Sequence, residues 1–201
     1  MPAAKRYNVT IGRLPVQFVW FRVAKVGTRS ILAALKPRVT EFEVEQGYST
    51  LYRPKRYSDH FKFAFVRSPY ARIVSGWADK IVREAQGGGV KDPDLRERLK
   101  DFPYFIDWLT SQEASETNIH YRPQSLLVPD EVDFIGRMER FEPDLRLVFR
   151  HVGLGDLDTV PRHNKSGTPP QVLKDASPDT SRKITEFYRG DFERFGYAPR
   201  D

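Results

Sequence analysis

The stretch FAFVRSPYARIVSGW, residues 63–77, decides the fold of this chain. Its first four residues are apolar, as in a buried strand, and Arg67 stands where that strand ends. A turn at Pro69 follows. From Tyr70 onward, apolar residues recur at helical spacing. The pattern predicts a strand, a loop and a helix, and it places Arg67 and Ser75 where backbone N–H groups favour an anion.

A second strand, loop and helix precede this stretch. Residues 16–23 form a nearly continuous apolar run, which is typical of a strand covered on both faces in a parallel sheet. A loop over residues 24–30 carries Lys25, and a helix is predicted over residues 31–35. Two anion-binding strand ends, one with a lysine and one with an arginine and a serine, suit a ligand with two separate phosphates.

The rest of the chain continues the alternation of strands and helices. Besides the strand at residues 63–66, further strands are predicted at residues 39–44 and 132–136. Helices are predicted from Tyr70, at 93–100, at 104–109, from Pro143 and at 179–187, with a long loop at 153–178. The alternation predicts a single α/β domain over residues 1–201, with a parallel sheet flanked by helices.

Composition limits the class of protein. The chain has 201 residues, 39% of them hydrophobic, with a formal net charge of +6, which favours anionic ligands. The absence of cysteine excludes disulfides, thiol catalysis and thiolate metal sites. The first residues lack the apolar core of a signal peptide, and no apolar run is long enough to span a membrane. We therefore expect a cytoplasmic enzyme.

The two loops together resemble the cofactor loops of sulfotransferases, in the branch that includes the carbohydrate sulfotransferases. The segment from Arg67 resembles the one that binds the 3′-phosphate of 3′-phosphoadenosine 5′-phosphosulfate (PAPS), with Arg72 and Ser75 also in place. The loop at 24–30 resembles the one that binds the 5′-phosphosulfate, although Ala24 replaces the usual proline. Arg29 stands where a hydroxyl residue is usual, so either Thr28 or Ser30 is expected to touch the 5′-phosphate.

Later segments resemble the same family in the same order, at residues 120–124, 134–139, 161–166 and 188–197. The resemblance implies a P-loop-kinase-like fold, PAPS as sulfuryl donor and a hydroxyl-bearing acceptor, a carbohydrate rather than a protein. The residues themselves require no metal, and we expect no nucleic-acid partner. The residues that the resemblance assigns to the cofactor are Lys25, Gly27, Thr28, Arg29, Ser30, Arg67, Ser75, Asn164 and Ser166.

Sulfuryl transfer to a hydroxyl also needs catalytic groups. Lys25 is expected to neutralise charge on the leaving 5′-phosphate as the S–O bond breaks. A base must take the proton of the acceptor, and His120 is the first candidate, although it is equally compatible with a structural role in its loop. His60 is the next histidine to consider. Two carboxylates at the end of the second predicted strand, Glu43 and Glu45, are the remaining alternatives.

Two other functions remain open from the residues. Another nucleotide-dependent transferase of the kinase-like fold should show a Walker lysine and hydroxyl pair, and the pattern Gly-x-x-x-x-Gly-Lys-Ser/Thr is absent. A non-catalytic protein that binds anionic glycans or nucleic acid would need only a basic surface, and the two ordered loops argue against it.

Overall fold

The computed structural model describes residues 5–45, 49–83, 90–157, 159–160 and 171–200. Contacts between Cα atoms divide the chain into two compact units. The first comprises Met1–Val66 and Leu127–Asn164, and the second comprises Arg67–Leu126 and Lys165–Asp201. Among the described residues, the first unit contains all the strands and two helices, and the second unit is helical.

The strands of the first unit are β1 (Arg6–Leu14), β2 (Phe18–Phe21), β3 (Glu41–Val44), β4 (Ser49–Leu51), β5 (Phe61–Val66) and β6 (Phe134–Arg137). Its helices are α1 (Thr28–Leu35) and α5 (Phe141–His151), with short 3₁₀ turns at Pro54–Tyr57 and Met138–Arg140.

The sheet of the first unit is mixed, so the prediction of a parallel sheet holds only in part. Its order is β3-β1-β2-β5-β6, and β4 also pairs with β1. β2, β5 and β6 run parallel, as expected for strands that are each followed by a loop and a helix. β1 pairs antiparallel with β2, β3 and β4. The strand predicted at residues 39–44 therefore exists as β3, but it is antiparallel to its neighbour.

Burial explains why these segments become strands. All four residues of β2 are fully buried, and so are Phe63–Val66 of β5, which agrees with their continuous apolar sequence. β1 was not predicted, although its apolar residues Tyr7, Val9 and Ile11 alternate with polar ones. That alternation is the signal of an antiparallel strand.

The second unit contains α2 (Pro69–Trp77), α3 (Pro93–Arg98), α4 (Phe102–Thr110), α6 (Pro178–Phe187) and α7 (Arg189–Phe195). A π turn at Ala78–Val82 extends α2, and 3₁₀ turns lie at Gln124–Leu126 and Gln171–Leu173. Side-chain caps start three of the helices, because Asp92, Asp101 and Ser177 each accept a hydrogen bond from a backbone N–H in the first turn.

The core of the second unit is rich in aromatic side chains. Ile73 and Val74 of α2, Phe105 and Ile106 of α4 and Ile184 of α6 are buried together in it. Phe192 and Phe195 of α7 are also buried. No helix in the described part of the chain is long and apolar enough to cross a membrane.

Candidate functional site

Lys25 lies in the loop between β2 and α1 with an unusual backbone conformation. Its φ angle is +73°, and among the described residues it is the one non-glycine residue with a positive φ. This left-handed conformation costs an ordinary residue on the order of 1–3 kcal/mol, and such costs cluster at functional positions. The loop therefore holds the lysine in a conformation that the chain would not choose for stability alone.

The amino end of α1 follows this loop, and its own first turn supplies neither a side-chain cap nor an acidic group. Its N-cap is Gly27, so no side chain caps the helix, and no acidic residue lies in its first turn. The first bond of the helix runs from the Ile31 N–H to the Gly27 carbonyl, 3.0 Å away. The N–H groups of residues 28–30 precede that bond and point along the axis toward the loop. A helix terminus of this kind favours a phosphate.

Gly27 lets the loop turn tightly into the helix. Its φ is +78°, and a methyl group at this position would lie only 2.8 Å from Cε2 of Phe141 in α5. Neither the angle nor the space suits another residue. A glycine at this position is consistent with a backbone that closes around an anionic group.

The hydroxyl residues Thr28 and Ser30 differ in their hydrogen bonds and in their burial. The helix begins at Thr28, so Thr28, Arg29 and Ser30 lie in its first turn and not in the loop that the sequence predicted. The Thr28 hydroxyl donates to the Val23 carbonyl at 2.9 Å, and it would have to break that bond to donate to a phosphate. Ser30 is buried, and Arg29 is exposed.

Arg67 and Ser75 belong to the second unit. Arg67 directly follows β5, and both residues are partly buried. Ser68 is the N-cap of α2 and makes no side-chain capping bond, and no acidic residue lies in the first turn of this helix either. The amino end of α2 is therefore a second helix terminus suited to an anion.

Arg72 is buried, and its bonds indicate a structural role. Its side chain is fully buried, and its guanidinium donates to the carbonyl oxygens of Arg122 at 2.8 Å and Ile119 at 3.0 Å. Burial lowers its pKa from the usual value. Arg72 thus ties α2 to the segment that contains His120.

His120 lies in the connection between α4 and the turn at Gln124–Leu126. Its N–H donates to the Asn118 side chain at 3.0 Å, and its imidazole is partly buried. Its carbonyl oxygen packs against α2, because a methyl group on Gly76 would lie 3.2 Å from it. The backbone of His120 is therefore held beside the helical residue that follows Ser75.

His60 and Glu43 lie at the opposite edge of the sheet from the Lys25 loop. His60 precedes the amino end of β5, whereas Lys25 follows the carboxyl end of the parallel strand β2. They line an open groove of about 350 Å³ with Arg56 and Tyr57. Burial lowers the pKa of His60.

The Glu43 carboxylate already accepts hydrogen bonds from neighbouring side chains in this groove. Burial opposes its ionisation, but hydrogen bonds from the Tyr57 hydroxyl at 2.8 Å and from Arg13 at 3.0 Å outweigh that effect, and the charge of Arg56 adds to them. The net result is a lowered pKa. The Glu43 carboxylate is therefore poorly suited to take a proton. Glu45 pairs with Lys36 at 2.6 Å.

Asn164 and Ser166 lie outside the described residues. Within the described residues, no three His, Asp or Glu side chains lie close enough together to hold a metal ion. The lack of a metal requirement stays a prediction.

Sequence reasoning assigned no role to two fully buried polar residues, Gln124 and Asp191. Gln124 bonds to the backbone of Arg67, and Asp191 bonds to Gln124. Both lie in segments that resemble the family, at 120–124 and 188–197. No local signal singles them out, because polar residues lie near each of them in the sequence, and only the structure shows that they are buried.

Comparisons with known proteins agree with these features. Carbohydrate sulfotransferase 14 of Danio rerio is 31% identical over 49% of this chain and 31% of its own length. Carbohydrate sulfotransferase 10 of Xenopus laevis is 26% identical over 80% of this chain and 52% of its own length. The matched part thus spans from a third to a half of these relatives. No solved structure matches the chain significantly.

A family model described as the sulfotransferase family matches residues 15–198, which include Lys25, Arg67, Gln124 and Asp191. The chain therefore belongs to the sulfotransferase family.

Proposed function

We propose that this protein transfers a sulfuryl group from PAPS to a hydroxyl of a carbohydrate. The observation that carries the proposal is the loop before α1, where a lysine with positive φ leads into an uncapped helix terminus. Family membership supports the reaction class, and the names of the relatives support a carbohydrate acceptor.

Lys25 and the first N–H groups of α1 would hold the 5′-phosphosulfate. When bound, PAPS supplies the sulfuryl group and leaves as 3′-phosphoadenosine 5′-phosphate. The Lys25 ammonium and the helix N–H groups would stabilise the negative charge that builds on the leaving phosphate. Because Gly27 adds no side chain, the backbone can approach the anion closely.

Arg67 and Ser75 would recognise the 3′-phosphate. A guanidinium can bind a phosphate through two parallel N–H bonds, and a serine hydroxyl can add a third. The uncapped amino end of α2 adds a favourable partial charge. Asn164 and Ser166 are kept as further candidates for cofactor contact.

The acceptor hydroxyl must lose its proton as its oxygen bonds to sulfur. We assign this proton to His120, since the structure puts His60 at the opposite sheet edge from Lys25 and engages Glu43 in other bonds. Mutation of His120 distinguishes this catalytic role from a structural role.

Replacing Arg67 with alanine is expected to weaken the binding of 3′-phosphoadenosine 5′-phosphate about ten- to a hundred-fold, because a charge-assisted pair with phosphate is lost. ADP has no 3′-phosphate, so its affinity should change by less than about twofold. Calorimetric titration of both nucleotides measures the difference. An equal loss for the two would mean that Arg67 does not read the 3′-phosphate.

The proposed reaction is tested by incubating the protein with PAPS and a panel of glycans. We expect a sulfated glycan and 3′-phosphoadenosine 5′-phosphate to form in equal amounts, as mass spectrometry would detect. Phosphorylation of the same glycans by ATP, with PAPS left intact, would instead assign the protein to another class of nucleotide-dependent transferase.

Three broader expectations remain proposals. These are the P-loop-kinase-like fold, the organisation of residues 1–201 as a single domain, and a cytoplasmic location. The mixed sheet with its parallel strands β2, β5 and β6 supports the first of them.

A further inference from the structure

Gln124 bonds to both sides of the Arg67 backbone. The Arg67 N–H donates to Oε1 of Gln124 at 2.9 Å, and Nε2 of Gln124 donates to the Arg67 carbonyl at 2.8 Å. The Gln124 side chain is fully buried. Its primary amide therefore acts on Arg67 as a neighbouring strand would, and it holds the peptide groups before and after the Arg67 Cα in one position.

Asp191 fixes the orientation of that amide. Its carboxylate, fully buried in α7, accepts from the Gln124 N–H at 2.9 Å, from Gln124 Nε2 at 3.1 Å and from the Ser125 N–H at 2.7 Å. Because a carboxylate only accepts, the NH₂ group must face Asp191, which leaves Oε1 for the Arg67 N–H. A flipped amide would place oxygen against oxygen.

The segment before Gln124 is held as well. Arg72 binds two of its carbonyl groups, and the Tyr188 hydroxyl donates to the Tyr121 carbonyl at 2.5 Å. Arg194 of α7 donates to the Ser125 carbonyl at 3.0 Å. The segment around Gln124 is therefore bonded to Arg72 of α2, to Tyr188 between α6 and α7, and to Arg194 of α7.

We propose that Gln124 and Asp191 are positioning residues that set the Arg67 backbone so that its guanidinium can recognise the 3′-phosphate. This inference rests on the proposed function, in which Arg67 binds that group. A guanidinium that binds a phosphate through two parallel hydrogen bonds must have the right position and plane. A displacement of about 1 Å can remove much of the binding that this geometry provides. A buried glutamine and aspartate supply the rigidity that a loop residue lacks.

The substitution Gln124→Glu tests the inference. It replaces the NH₂ donor with an oxygen that faces two acceptors, the Arg67 carbonyl and Asp191. The adjacent Asp191 carboxylate raises the pKa of the new carboxyl, so one of the two lost bonds is restored as the pH falls through that pKa. The other charged or titratable groups near this site are Arg67, Arg72, Tyr188 and Arg194.

At about pH 8, we expect Gln124→Glu to bind 3′-phosphoadenosine 5′-phosphate at least about tenfold more weakly than the wild type, with ADP affinity within about twofold. At about pH 5.5, the ratio of variant to wild-type affinity should recover to within about threefold. The matched control is Gln112→Glu, the same change at a glutamine that donates to the Trp108 carbonyl. It should leave both affinities unchanged at both pH values.

Equal losses for the two nucleotides, or a loss that does not depend on pH, would overturn the positioning role. If the wild type itself does not prefer the 3′-phosphorylated nucleotide, the proposed function fails first and the inference fails with it. A Gln124→Glu protein that does not fold near pH 8 is replaced by Asp191→Asn, which removes one acceptor oxygen. That variant should lose affinity about three- to tenfold for 3′-phosphoadenosine 5′-phosphate alone, and an equal loss for ADP would overturn the inference.

Discussion

Replacing His120 with alanine is expected to lower turnover about 10²–10⁴-fold, the usual share of general-base catalysis, while cofactor affinity and folding change little. The physical reason is that only a neutral imidazole can accept the proton of the acceptor hydroxyl. The wild-type rate should therefore rise with pH as the imidazole loses its proton. Initial rates with PAPS and a glycan acceptor, measured across pH, check both statements.

His60→Ala is the control, because His60 lies at the sheet edge opposite the Lys25 loop. It should lose much less activity than His120→Ala. The reverse pattern would move the base to His60, and near-normal rates in both variants would point to a carboxylate. Glu43 would then be a weak choice, since its hydrogen bonds already lower its pKa. A His120→Ala protein that misfolds would assign His120 a structural role.

Lys25→Ala is expected to reduce kcat on the order of 10²–10³-fold, the range seen when one stabilising donor is removed from an active site. Affinity for 3′-phosphoadenosine 5′-phosphate should fall less, about tenfold. The difference arises because charge on the leaving phosphate is larger in the transition state than in the bound ground state. Calorimetry and single-turnover rates measure the two effects separately.

Lys25→Gly separates chemistry from backbone conformation. Glycine adopts φ near +73° without strain, so this variant should melt about 2–4 °C above Lys25→Ala. Both variants lack the ammonium group and should be equally inactive. If Lys25→Ala instead weakened binding while kcat stayed unchanged, Lys25 would have no role in stabilising the transition state.

Local sequence patterns predicted the parts of the fold that rest on local physics. The continuous apolar runs of β2 and β5 indicated strands that are buried on both faces, and the structure confirms them. The antiparallel strand β1 was missed although its polar residues alternate with apolar ones, as Thr10 does between Val9 and Ile11. A mixed sheet follows from that one strand.

Some residues of the candidate site could be predicted from the sequence, and others could not. The sequence pointed to Lys25 and Arg67, because each stands where an apolar run gives way to a helix. Gln124 and Asp191 could not be assigned a role, since Gln124 bonds to Arg67 from 57 positions away and Asp191 bonds to Gln124 from 67 positions away. Only a three-dimensional structure shows that these buried groups meet.

The central claim is that this protein recognises a nucleotide by its 3′-phosphate as well as its 5′-phosphate. It is tested most directly by titrating the wild-type protein with 3′-phosphoadenosine 5′-phosphate and with ADP under the same conditions. We predict that 3′-phosphoadenosine 5′-phosphate binds about ten- to a hundred-fold more tightly and raises the melting temperature more than ADP does. Equal affinity and equal stabilisation by the two nucleotides would contradict the account.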